Sequence, residues 1–208
     1  MTTPPKTMAP GASTQTASEL RMLVITASTR PQRFGHQVAS WFLDHVDGHP
    51  AFKTSHIDLT DLDIPAHIGT STSAQQRLRK HAGTEIEAAD GIVIVTPEYN
   101  HSYPGTLKNF IDHFHTEWAG RPISFIGYGG VSGGLRSIEH LRLVFAELRA
   151  ATLRETLSFH NPHGAFNETG KPPDPAAASD AADRLLAEMT WWATALANAR
   201  ATQTYPGQ

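Results

Sequence analysis

Ile92-Val93-Ile94-Val95-Thr96 is an apolar run that ends in a single hydroxyl. A strand with one wet face alternates apolar and polar side chains. A run without alternation is covered on both faces and belongs in the middle of a parallel sheet. Parallel strands need helical crossovers, and the chain supplies them on either side. Leu20 to Ala27 reads as a first strand, followed by a polar turn from Ser28 to Gly35 and by Val38, Trp41, Phe42 and Val46 at helical spacing. Phe52 to Leu59 reads as a weaker second strand, and Ser73 to His81 as a polar helix. Thr84 and Glu87 have capping-box spacing and predict a separate short helix that stops at Asp90-Gly91.

Beyond the central run, Leu107, Phe110, Ile111, Phe114 and Trp118 predict one amphipathic helix, and Ile123 to Ile126 a fourth strand. Leu135, Ile138, Leu141, Phe145 and Leu148 predict a long helix, and Thr152 to Phe159 a fifth strand. Asp174-Pro175 opens a terminal helix carrying Leu185, Met189, Trp192 and Leu196 on one face. Five strands alternating with helices predict an α/β fold, a doubly wound parallel sheet with helices on both faces.

The chain has 208 residues, 39% hydrophobic and 18% charged, enough for one substantial core and short for two domains. That core is expected within residues 20–201. Residues 1–19 have the Thr, Ser, Pro and Ala composition of a disordered leader, and 202–208 form a short tail. A formal net charge of -3 leaves no basic surplus for nucleic acid. The absence of cysteine excludes disulfides, thiolate metal sites and cysteine nucleophiles, and fits a cytoplasmic location. No apolar stretch reaches the roughly 18 residues that cross a bilayer, so no membrane partner is expected. The 12 histidines are scattered, and no metal site is expected from them.

Ligands bind doubly wound sheets outside the carboxyl ends of the strands. Three of those ends carry polar or glycine-rich loops. The first, Ser28-Thr29-Arg30-Pro31-Gln32-Arg33-Phe34-Gly35, sets hydroxyls and two guanidinium groups before a helix N-terminus, which suits a terminal phosphate; it also reads as a solvated polar turn. The second, Pro97 to Gly105, brackets Glu98, Tyr99 and Asn100 between prolines, rigid enough to aim backbone groups at a flat heteroaromatic edge or simply to connect strand and helix. Lys108 and Asp112, four apart on the next helix, read as a solvated ion pair. The third, Gly127 to Gly134, has five glycines in eight residues, so that a planar ligand can approach the backbone. It also contains G-x-S-x-G at Gly130, Ser132 and Gly134, the pattern of a serine hydrolase elbow. A triad there would have to use His160 or His163 with Glu139, Glu147 or Glu155, because no Asp lies between Ser132 and Ser158.

Taken in order, the three loops resemble the NADPH-dependent FMN reductase family of flavodoxin-like proteins. The matching stretches are Ser28-Thr29-Arg30 through Gly35, Pro97-Glu98-Tyr99-Asn100-x-Ser102-x-Pro104-Gly105-x-Leu107-Lys108-Asn109-x-x-Asp112, and Gly127-Tyr128-Gly129-Gly130-x-x-Gly133-Gly134. The resemblance implies a flavodoxin-like three-layer sandwich whose five-stranded parallel sheet has the order 2-1-3-4-5. It implies FMN, with its phosphate on Ser28, Arg30, Arg33, Phe34 and Gly35. The ring would lie against Pro97, Glu98, Tyr99 and Asn100, with Tyr128, Gly129 and Gly130 opposite, and Ser102 is a further cofactor-binding residue. It further implies NADPH or NADH as hydride donor to flavin N5 and a flavin, quinone, azo or metal-oxyanion acceptor, in a double displacement that needs no catalytic side chain. Family members are homodimers or homotetramers in which residues like Lys108 and Asp112 pair across chains, and a flavin-dependent oxygenase is a conceivable consumer of reduced flavin. An electron carrier without NAD(P)H activity is the alternative, with the Ser132 hydrolase behind it.

Overall fold

A computed structural model describes residues 19–206 except 68, 70, 163–165 and 168. The expectation of a disordered leader therefore falls almost wholly outside the described residues. The central strand, β3, spans Gly91–Pro97 with every residue buried. β1 (Leu20–Thr26) and β4 (Pro122–Gly129) flank it in parallel, and β2 (Phe52–Asp58), at the edge, is half exposed. The strand order is β2-β1-β3-β4-β5, with β6 also paired to β4.

Each face of the sheet has its own core. α1 (Gly35–Val46) and α5 (Pro175–Thr202) cover one face, closing over Val93, Val95 and Phe42 with Leu185 and Met189. α2 (Ser73–Ala88), α3 (Gly105–Asp112) and α4 (Leu135–Glu147) cover the other, closing over Ile92, Ile94 and Phe125 with Ile86, Phe110 and Phe145. Each fully buried side chain of this size stabilises the fold by about 1.5–3 kcal/mol. Between β1 and β3 the strand order reverses, so the loops leaving these strands diverge and leave a crevice at their carboxyl ends.

The structure departs from the sequence reading in four places. α2 is one continuous helix: its capping box joins Thr72 to Gln75, while the Thr84 hydroxyl donates back to the Lys80 carbonyl one turn earlier. α3 ends at Asp112, and Trp118 stands on a short 3-10 turn (Thr116–Trp118), buried against Phe110 and Phe114. β4 continues through Gly127, Tyr128 and Gly129, all of which read as loop, because Gly127 and Tyr128 pair with both β3 and β6 and Gly129 pairs with β6.

The fifth strand is two pieces. β5 (Ala151–Thr152) and β6 (Leu157–His160) both pair with β4, so the sheet has six strands. From Ile123 to Ile126 β4 advances three residues while its neighbour advances five, from Thr152 to Leu157. The extra chain arches away, and side chains satisfy its backbone. Arg142 donates to the Leu153 carbonyl, Ser124 to the Glu155 carbonyl, and Glu188 accepts from the Glu155 amide.

Candidate functional site

The three loops meet in one cleft of about 480 Å³ at the carboxyl ends of β1, β3 and β4. Arg30, Arg33 and Phe34 form its first wall, Pro97, Glu98 and Tyr99 its second, and Tyr128, Gly129 and Gly130 its third. Ser28, Gly35, Asn100 and Ser102, the other residues the sequence points to, stand behind or beside these walls. Pro31, Gln32, Asn161 and Pro162 also line the cleft, and the sequence reading does not mark them. A larger groove of about 660 Å³ runs between α2 and the end of α3, but none of its walls comes from the three loops.

Ser28 is buried at the end of β1, its Oγ 2.8 Å from the Tyr99 hydroxyl. That bond fixes the Tyr99 ring, and the Arg30 guanidinium lies over the ring at 3.9 Å from its centroid. Arg30 makes no ion pair with any described residue. It stands beside the first turn of α1, which has neither a side-chain cap nor an acidic residue. Uncapped backbone N–H groups, the positive end of the helix dipole and a guanidinium without a counter-ion together favour an anion there.

Arg33 is differently placed. It donates to Asp58 Oδ2 at 2.6 Å and to the Thr60 hydroxyl at 3.1 Å, and its Nε is buried without a partner. Burial pushes the Asp58 carboxyl up, but hydrogen bonds from Thr60 and Arg33 and the Arg33 charge hold it below its ordinary value. Phe34 packs edge-on against Tyr128 and Phe166 and so closes the cleft floor over the core.

On the second loop Asn100 and His101 both have positive φ, 50° and 68°. They are the centre of a two-residue turn in which Tyr99 and Ser102 exchange backbone hydrogen bonds at 2.8 and 3.1 Å. Asn100 is exposed and does not line the cleft, and the Ser102 hydroxyl meets His140 on α4 at 3.0 Å. Glu98 reaches the start of α4, accepting from the Arg136 amide at 3.1 Å and from its guanidinium at 2.7 Å. Burial pushes the Glu98 carboxyl up, but bonds from Ser132 and Arg136 and the Arg136 charge bring it below its ordinary value.

The third loop turns sharply at Gly134, φ 90°, where a Cβ would stand 2.5 Å from the Tyr128 nitrogen. No other residue allows the chain to double back so close to its own strand. A family model described as NADPH-dependent FMN reductase matches residues 20–164, a span that contains all three loops. The chain belongs to the NADPH-dependent FMN reductase family.

Relatives of this reductase family bracket the chain. It is 36% identical over 121 residues to an NAD(P)H-dependent FMN reductase of Schizosaccharomyces pombe, a match covering 55% of this chain and 60% of that one. It is 26% identical over 158 residues to an NADPH azoreductase of a Bacillus species, covering 73% of this chain and 85% of the relative. Among solved structures, the flavoenzyme NAD(P)H:(acceptor) oxidoreductase FerB of Paracoccus denitrificans superposes with a TM-score of 0.66 at 22% identity, over 83% of this chain and 97% of that one. That likeness carries the flavodoxin-like fold.

Against a hydrolase, no described histidine is hydrogen-bonded to the Ser132 hydroxyl. His160 turns Nδ1 to the Val131 carbonyl at 2.9 Å and Nε2 to Ser158 at 3.3 Å, so both ring nitrogens face groups other than Ser132. His163 lies outside the described residues. Lys108 and Asp112 pair with each other along α3 at 2.6 Å. No helix among the described residues is long and apolar enough to cross a membrane.

Proposed function

We propose that the chain holds FMN in this cleft and is an NAD(P)H-dependent oxidoreductase for a small-molecule acceptor of the flavin, quinone, azo or metal-oxyanion type. The observation that carries this reading is Arg30: a guanidinium parked on an aromatic ring, without a carboxylate partner, beside an uncapped helix N-terminus. The walls fit the cofactor. Arg30 and the first turn of α1 suit its phosphate, while Tyr99, Tyr128 and the Gly129-Gly130 backbone suit a flat ring. A Cβ on Gly130 would meet only Asn161 Oδ1, at 3.9 Å, so the space in front of that backbone is open.

Bound FMN would supply a two-electron relay between a nicotinamide donor and an acceptor that occupy the site in turn. The protein's part is to hold and orient. Ser28 locks the Tyr99 ring, Phe34 closes the floor, and Glu98 ties the second loop to the start of α4 through Arg136. No side chain of the cleft has to form a covalent bond. Homodimer or homotetramer assembly belongs to the same reading.

The test is an absorbance spectrum after incubation with FMN and desalting, followed by anaerobic NADPH and, separately, NADH. Retained flavin that bleaches supports the reductase and selects its donor. Retained flavin that neither nucleotide bleaches makes the chain an electron carrier, and no retained flavin overturns the reading.

A further inference from the structure

Asn161 follows the last residue of β6 and sits directly against the third loop. Its backbone is left-handed, φ 44°, and its amide donates to two carbonyls, Gly129 at 2.7 Å and Gly130 at 3.2 Å. These bonds seat the residue on the cleft wall next to the glycine backbone. Its carboxamide is exposed and makes no hydrogen bond to any described residue, although Oδ1 faces the open space before Gly130.

The sheet sets the distance between this group and the anion site. From β1 to β6 there are three strand-to-strand steps, through β3 and β4. At about 4.8 Å a step, the strand that leads into Asn161 lies about 14 Å across the sheet from the strand that leads into the Arg30 loop. A ligand with its phosphate at Arg30 and its flat ring against Tyr99, Tyr128 and Gly129 presents the far end of that ring to Asn161. In FMN, whose binding here rests on the function proposed above, the polar edge of the ring is an imide: a donor N–H between two acceptor carbonyls. A carboxamide offers one donor and one acceptor side by side, the complement of half that edge.

We propose that the Asn161 carboxamide hydrogen-bonds the imide edge of the flavin and is a binding residue of the cofactor site for the ring. The competing explanation is local: asparagine tolerates positive φ better than most residues, and the turn alone accounts for its presence. Glycine and alanine separate the two. Asn161→Gly removes the carboxamide and keeps the backbone at ease, whereas Asn161→Ala removes it and strains the backbone.

The experiment is fluorescence titration of FMN and of riboflavin into the wild-type chain and the two variants, with the thermal midpoint of each. The expected result is that both variants bind both flavins about three- to tenfold more weakly, the worth of one ordinary hydrogen bond, while only Asn161→Ala melts earlier. The loss is equal for the two flavins because the contact is remote from the phosphate. Asn161→Asp, which sets a carboxylate at the same edge, lowers the midpoint potential of bound FMN, since a nearby negative charge opposes uptake of electrons. Wild-type affinity in Asn161→Gly overturns the proposal and leaves Asn161 as a turn residue. A loss confined to FMN also overturns it, by placing the residue at the phosphate. Failure of the wild-type chain to bind either flavin removes the cofactor reading itself, a different outcome from either of these.

Discussion

The phenol oxygen of Tyr128 occupies the place that a side chain on Gly35 would need. A Cβ built on Gly35 runs into that oxygen and comes within 3.2 Å of the ring carbon that bears it. Strand β4 and the first turn of α1 therefore touch through a residue that has to be glycine. Gly35→Ala is expected to destabilise the fold by about 1–3 kcal/mol, the usual cost of overpacking. Most of that cost should disappear in a Tyr128→Phe background, which removes the obstructing oxygen. A double-mutant cycle by urea unfolding measures the coupling, and additive losses would show that the two residues do not share this contact.

In the proposed function, phosphate recognition turns on Arg30. Arg30→Ala is expected to weaken FMN binding by about 1.5–3 kcal/mol, the loss of charged hydrogen bonds, and to leave riboflavin binding unchanged because riboflavin has no phosphate. Equal effects on the two ligands would assign Arg30 to the ring instead. Asp58→Asn should act more mildly and in the opposite direction, since it frees the Arg33 guanidinium from a carboxylate partner at 2.6 Å. Parallel titrations of the two flavins into each variant read both effects.

How far the sequence foretells the molecule depends on whether the deciding contact is local. β3 is legible because a strand covered on both faces has to be apolar throughout, and the layering follows from that run and its crossovers, while the strand order is what the family resemblance implies. Thr84 misleads because a hydroxyl with Glu three residues on looks like a cap, whereas here it bonds within the helix to Lys80. Phe114 and Trp118 keep helical spacing past the true end of α3, since the 3-10 turn buries them against the same core. The commitment of Arg33 to Asp58, 25 residues away, and the arrival of Asn161 beside Gly130 arise from strand pairing, which leaves no mark in either local sequence.

Acid should loosen the hold of the second loop on the start of α4 through Glu98. Its folded carboxyl titrates below the ordinary value of 4.5, so the stability it contributes is present in full above that value and is lost as the pH falls through the lower, folded one. Glu98→Gln keeps an acceptor for the Arg136 amide and drops the charge. The wild-type advantage over this variant is expected to be constant near neutrality and to vanish on acidification, as read by thermal midpoints across a pH series. A difference that persists below the folded value would locate the effect in packing rather than charge.

At the opposite end of the sheet, Asp90 ties the terminal helix to the first strand. One oxygen accepts from Arg200 on α5 at 2.9 Å and the other from the Arg21 amide at 3.0 Å, while Arg200 also donates to the Gly120 carbonyl. Arg121 lies nearby, pulled down to about 10 by burial and by the Arg200 charge. Removing Asp90 therefore leaves Arg200 without its carboxylate and two positive groups facing each other. Asp90→Ala is expected to cost about 1–3 kcal/mol, less than a fully buried pair because about a fifth of each side chain, 21% and 23%, is exposed. Because this cluster is remote from the cleft, FMN affinity per folded molecule should be unchanged. Urea unfolding with a flavin titration on the same sample checks both, and a loss of affinity without a loss of stability would mean that α5 communicates with the cofactor site.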